Sequence, residues 1–163
     1  MPLFRIAALL LALAVLPFAG LPSANVAFAM GSSSDSAGAD NTDYETGVKA
    51  ISAQNWDAAI AAFEKVVAKD AAHADALNWL GYAHRKQGDL KAAFGFYERA
   101  LRAKPDHRGA HEYVGEAYLM AGDLATAEKH LAALDEICTF GCDEYDQLKQ
   151  AVAAYKAKNG AGG

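Results

Sequence analysis

Two cysteines stand near the end of this chain, Cys138 and Cys142, enclosing Thr139, Phe140 and Gly141 (CTFGC). Thiols so placed have three kinds of chemistry open to them. In an oxidising compartment the default is a disulfide across a turn. Gly141 supplies the freedom a small ring needs, and chain entropy values such a loop at ~2 kcal/mol. A redox-active pair is the second kind, although such pairs commonly have Cys-x-x-Cys spacing at a helix start. A soft-metal site of the Cu(I) type is the third, since two thiolates suit that ion. A periplasmic thiol or soft-metal handling protein working through Cys138 and Cys142 is therefore the alternative to the main reading below.

The five histidines are His73, His84, His107, His111 and His130. His107 and His111 have the four-residue step that can hold a metal on a helix. However, His107 is expected to precede its helix, and no His-Glu-x-x-His pattern occurs. His84 takes a large interior position and is read as packed core. No glycine-rich phosphate loop and no Gly-x-Ser-x-Gly elbow is found. No catalytic residue, metal site or cofactor is assigned, and the chain reads as a non-enzyme.

The elements that carry these residues follow from a period of 34. Gly47, Gly81 and Gly115 keep that step, as do Ala59, Ala93 and Ala127. Phe63, Tyr97 and Leu131 share it, with Trp56, Leu90 and Leu124. Gly88-Asp89-Leu90 returns as Gly122-Asp123-Leu124. Such a period marks stacked units, none able to bury its own apolar face alone. The middle unit, residues 74–107, places Leu77, Leu80, Gly81 and His84 on one helical face. Leu90, Ala93, Phe94, Tyr97, Ala100 and Leu101 form a second face. Gly88-Asp89 divides the two helices, Pro105 stops the second, and Asp106 is the expected cap of the next.

Leu77-x-x-Leu80-Gly81-x-x-His84, followed by Ala93-x-x-x-Tyr97, Ala100 and Pro105, resembles the tetratricopeptide repeat pattern. The likeness extends over residues 40–73, 74–107 and 108–141. The first unit departs with Thr46, Gln54-Asn55 and Ala71, and the third with Thr139. Such a resemblance implies an all-α solenoid of three helix-turn-helix repeats, curling as a right-handed superhelix. A capping helix is expected over residues 143–158, with Tyr145, Leu148, Val152 and Tyr155 on one face and acids leading, bases trailing.

That family lines an inner groove with the first helix of each repeat, and a peptide or a partner's helix lies there. Transferred to this sequence, the groove takes Tyr44, Val48 and Ile51 from the first repeat. Asp75, Asn78, Tyr82, Arg85 and Lys86 come from the second, and Glu112, Glu116, Leu119 and Met120 from the third. Asn78 would bond a backbone, and Arg85 with Lys86 would pair a carboxylate. The family's clamp for chaperone tails uses Lys and Asn where this chain has Tyr44 and Val48, which argues against that ligand. The resemblance implies an adaptor or scaffold that binds another protein or peptide, with self-association possible through the open ends of a short stack.

The address comes from the first residues. Arg5, the apolar run from Ile6 to Leu16, Pro17, Pro22 and Ala27-Phe28-Ala29 have the order of a secretory signal, with cleavage expected after Ala29. An uncleaved anchor is the rival, but it needs about 20 apolar residues and Pro17 ends the run early. Export to the periplasm or beyond is the expectation, with no membrane insertion after cleavage. Without residues 1–29 the chain keeps 14 basic and 20 acidic side chains, a net charge of −6. That balance opposes nucleic-acid binding. Residues 30–41 are small and polar and read as a flexible leader, and residues 159–163 as a frayed tail.

Overall fold

The computed structural model describes residues 35–160, with side chains from Thr42 onward. The signal segment, residues 30–34 of the leader and residues 161–163 of the tail lie outside the described residues. Seven α-helices and no strand occur among the described residues. They are α1 (Asp35–Ser52), α2 (Trp56–Lys69), α3 (Ala74–Gln87), α4 (Leu90–Ala103), α5 (Arg108–Met120), α6 (Leu124–Ile137) and α7 (Asp143–Gly160). α1 packs on α2, α3 on α4 and α5 on α6, while α2–α3 and α4–α5 contacts join the pairs. α7 closes the stack against both α5 and α6. The fold is the all-α solenoid expected from the period.

Two boundaries differ from expectation. α1 starts at Asp35, inside the segment read as a leader. Ala37 and Ala39 favour the helical state, and extending an existing helix costs far less than starting one. α7 likewise runs through Asn159, whose side-chain amide donates to the Tyr155 carbonyl at 2.8 Å.

Each turn within a repeat is built alike. Asn55, Asp89 and Asp123 are N-caps of α2, α4 and α6, accepting from the amides of Ala58, Ala92 and Thr126 at 3.2, 3.0 and 3.0 Å. The residue before each cap is left-handed: Gln54 has φ 55°, and Gly88 and Gly122 have φ 86°. There the amides of Gln54, Gly88 and Gly122 reach back to the carbonyls of Ile51, Arg85 and Leu119. Asn55, Asp89 and Asp123 reach Ala50, His84 and Tyr118, completing the double closure of a Schellman end. Gln54-Asn55, a departure in sequence, therefore performs the same turn as Gly88-Asp89.

The joints between repeats use imidazoles. His73 and His107 cap α3 and α5, each accepting through Nδ1 from Ala76 and Ala110 at 3.3 and 3.2 Å. Asp106 was expected to cap α5. The ring of His107 occupies that place because its Nδ1 lies opposite the third amide of the helix.

The core lies where the two helices of a repeat approach closest. A Cβ on Gly81 would meet the Tyr97 ring at 2.5 Å, and one on Gly47 would meet the Phe63 ring at 2.6 Å. Ala59, Ala93 and Ala127 are fully buried on the second helices. The third repeat departs from the series. Leu131, in step with Phe63 and Tyr97, is only half-buried, and the side chain over Gly115 is Leu148 of α7, 2.6 Å from where a Cβ would stand. A leucine is shorter than the rings at the equivalent positions, so the cap helix supplies the missing volume. Cys138 and Cys142 are joined as a disulfide, Cα to Cα 5.7 Å, at the α6–α7 turn, where Gly141 has φ 84°. Among the described residues no helix is long and apolar enough to cross a membrane.

Two substitutions test this architecture. Gly81→Leu drives a side chain into the fully buried Tyr97 ring and should destabilise by at least ~1–3 kcal/mol in denaturant melts. An unchanged midpoint would contradict the crossing. Gln54→Gly relieves a left-handed side chain and should stabilise by about 0.5–1 kcal/mol, raising the melting temperature by roughly 2–4 °C. A fall in melting temperature would show that the turn relaxes otherwise.

Candidate functional site

The first helices α1, α3 and α5 carry the side chains assigned to the groove, and α7 extends the row beside α5. Aromatic rings connect them. Trp79 Nε1 donates to the Tyr44 hydroxyl at 3.1 Å, joining α3 to α1. Tyr44 lies against His73 and meets Phe63 edge-on, with centroids 5.4 and 5.5 Å away. The Tyr82 ring touches Trp56 at 6.0 Å, Trp79 at 5.6 Å and Tyr113 at 4.9 Å. Such offset and edge contacts fix ring positions before any ligand arrives.

Charges sit within this aromatic frame. Arg85 is 8 % exposed. Its Nη1 lies 2.6 Å from Glu116 Oε2, and the guanidinium stands 5.3 Å from the Tyr82 centroid and 5.5 Å from that of Tyr113. Arg85 was expected to offer itself to a partner's carboxylate. The structure instead commits it to Glu116, because α3 and α5 bring positions 85 and 116 face to face. Lys86 is exposed, with Nζ 5.9 Å from the Trp56 centroid and 5.8 Å from that of Tyr82. Of the two expected cations, Lys86 is the one that reaches solvent.

Asn78 is 5 % exposed, and its Oδ1 is sealed without a hydrogen bond. Gly109 faces it: a Cβ there would lie 3.3 Å from Asn78 Nδ2. Asp75 stands 3.1 Å from His107 Nε2, off the line of a good hydrogen bond. Burial holds His107 below the usual imidazole range against the pull of Asp75. Val48 and Ile51 are half-buried against the core of the first two repeats, and Leu119 belongs to the core under α7. Leu119 therefore leaves the groove set: α7 covers the face that α5 would otherwise present there. Met120 is exposed.

Glu112, the third-repeat counterpart of Tyr44 and Asn78, is 4 % exposed. Burial, then the charges of Glu116 and Glu144, push its carboxyl up to about 7, against the opposing pull of Arg85. Sequence reasoning missed four participants: Trp79, Tyr113, Arg108 and Glu144. The first two were signalled, since Trp79 and Tyr113 are themselves 34 apart. Glu144 belongs to the cap helix and reaches Arg108 at 4.0 Å, a pairing no periodicity announces.

The histidines pair otherwise than their spacing suggests. His107 turns to Asp75, while His111 Nδ1 lies 3.0 Å from His130 Nδ1 of α6 and its Nε2 2.9 Å from the Pro105 carbonyl. Burial, then His111, pushes His130 down to about 4. Among the described residues no group of three or more His, Cys, Asp or Glu side chains could hold a metal ion, and no cysteine is free.

The elevated Glu112 makes a stability prediction. Its folded value of about 7 exceeds the unfolded 4.5, so the folded state keeps the proton longer. The resulting stabilisation is full below the unfolded value and is lost as pH rises through about 7. Glu112→Gln removes the charge in a similar volume. The variant should melt several degrees above the parent near pH 8, with the gap closing towards pH 4 (roughly 2–4 °C per kcal/mol). A gap independent of pH would remove Glu112 as its source.

Two tetratricopeptide repeat models match the chain, over residues 44–107 and 84–152. Superkiller complex protein 3 of Mus musculus is 33 % identical over 125 residues, which is 71 % of this chain and 8 % of that protein. The Yersinia enterocolitica type III secretion chaperone SycD, solved with a peptide of the translocator YopD, superposes with a TM-score of 0.64. The match has 18 % identity over 73 % of this chain and 93 % of that one. The TPR2B domain of yeast Sti1, in a complex with pHsp70, gives 0.65 at 16 % identity over 71 % and 97 %. With the 34-residue step, the glycine–ring crossings and the shared turns, these matches agree: the chain belongs to the tetratricopeptide repeat family.

Proposed function

We propose that this protein is a non-enzymatic adaptor that holds a partner protein or peptide along the inner face of α1, α3 and α5. The observation that carries this reading is the pre-fixed aromatic row Trp56–Tyr82–Trp79–Tyr113, each ring half-buried, beside the exposed Lys86. Rings held by one another lose little freedom when a ligand arrives, which favours binding. Structures of the same fold were solved with peptides, SycD with one from YopD among them.

The reading extends to export. The segment ending at Ala29 has the order of a secretory signal, and a disulfide between Cys138 and Cys142 suits an oxidising compartment. The partner is then expected in the cell envelope. The acidic balance argues against nucleic acid. The thiol or soft-metal alternative needs two thiolates, and a bond between Cys138 and Cys142 would withhold both, which favours the adaptor reading.

A photo-crosslinking residue placed at Lys86, on the inner face, is compared with one at Lys91, exposed on α4. Adducts from position 86 that fall severalfold in a Tyr82→Ala background support the groove. Equal adducts from both positions would refute it. Mass measurement of the exported protein should show a chain beginning at Met30, and a full-length mass would contradict export by cleavage.

A further inference from the structure

Resting on the groove reading, the polar groups of the inner face can be matched one against another. Arg85 takes Glu116 at 2.6 Å, His107 faces Asp75 at 3.1 Å and Arg108 reaches Glu144 at 4.0 Å. Trp79 takes Tyr44. One carboxylate is left over. Glu112 accepts no hydrogen bond and joins no ion pair among the described residues, although it is 4 % exposed. Unlike Asn78 Oδ1 and Arg85 Nε, its oxygens are not sealed from solvent. A nearly buried carboxylate without a donor is costly: a proton removes that cost below about 7, and above it a cation brought by a partner can do so.

We propose that Glu112 is the receptor for an arginine side chain of the partner segment lying along α3, α5 and α7. Charge complementarity selects this occupant. Glu112 and Glu116 stand one helical turn apart on α5, and Glu144 of α7 adds a third carboxylate nearby. Against these three, the described cations are Arg85, whose Nη1 is engaged by Glu116, and Arg108, one helical turn before Glu112 on α5 and turned to Glu144. The planar guanidinium fork has five donors and can serve two carboxylates together, which an ammonium does less well. The Tyr113 ring, already beside one guanidinium at 5.5 Å, provides a face for a second. An acidic segment, by contrast, would meet repulsion at this point.

The groups facing Glu112 are Glu116 and Tyr113 on α5, Arg85 on α3 and Glu144 on α7. Binding of an arginine requires the Glu112 carboxylate, so the proton held up to about 7 must leave. Arginine recognition is therefore expected to strengthen as pH rises through neutrality.

The test uses the purified protein and octapeptide pools that are random except for arginine, its neutral isostere citrulline, or glutamate at the fourth position. Near pH 8 the arginine pool should be retained at least about tenfold over citrulline, falling to about twofold near pH 5.5. Glu112→Gln should abolish that preference while its melting curve shows a folded chain. Equal retention of the citrulline or glutamate pool, or a preference surviving Glu112→Gln, would overturn the proposal. So would retention of no pool above background. If Lys86 crosslinks persist in these cases, only the arginine assignment falls. If they too are absent, the groove reading falls with it.

Discussion

Close approach of paired helices at a glycine is the constraint on which the other features depend. Gly47 under Phe63 and Gly81 under Tyr97 leave no room for even a methyl group. The ring that fills each crossing continues into the next repeat: Tyr97 packs with Val114 and Ala117 of α5, and Phe63 with Ala76, Leu80 and Ala83 of α3. One side chain thus holds its own hairpin together and docks the following one. The spacing of α1, α3 and α5, and with it the geometry of the inner face, follows from that packing. Nearest-neighbour contacts of this kind are what give repeat proteins their additive stability.

The third repeat shows how the rule bends without breaking. Gly115 keeps the gap, but the filler arrives from α7 as Leu148. The cap helix therefore completes a crossing inside the third repeat as well as covering its end. Lys156 to Glu128 at 2.5 Å and Arg108 to Glu144 at 4.0 Å add weaker links to α6 and α5.

Most of the architecture was legible because it is periodic. Helix positions, the Gly-Asp turns and the small residues at crossings all recur at 34, and each has a local physical reason. Gln54 and Asn55 were read as a departure, yet they follow the same backbone path, since Asn caps as Asp does and Gln tolerates the left-handed position at some cost. What sequence could not supply was pairing across elements. Periodicity told that Arg85 and Glu116 point to one side. It did not tell that they meet, nor that the meeting removes Arg85 from service and leaves Glu112 alone. His111 with His130 is the same case, two residues on different helices whose separation in sequence carries no pattern. Leu119 was misplaced because its helical face is inner by register but covered by α7.

The imidazole caps at His73 and His107 have a further effect. Each joint between successive hairpins depends on one ring nitrogen keeping its lone pair free to accept an amide proton. The same ring also packs: His73 lies against Tyr44 of the preceding hairpin, centroids 5.4 Å apart. An aspartate or asparagine in its place would keep the amide bond and lose that plane. The seam residue is thus cap and spacer at once, and the pitch from the first hairpin to the second is fixed in part by the width of an imidazole.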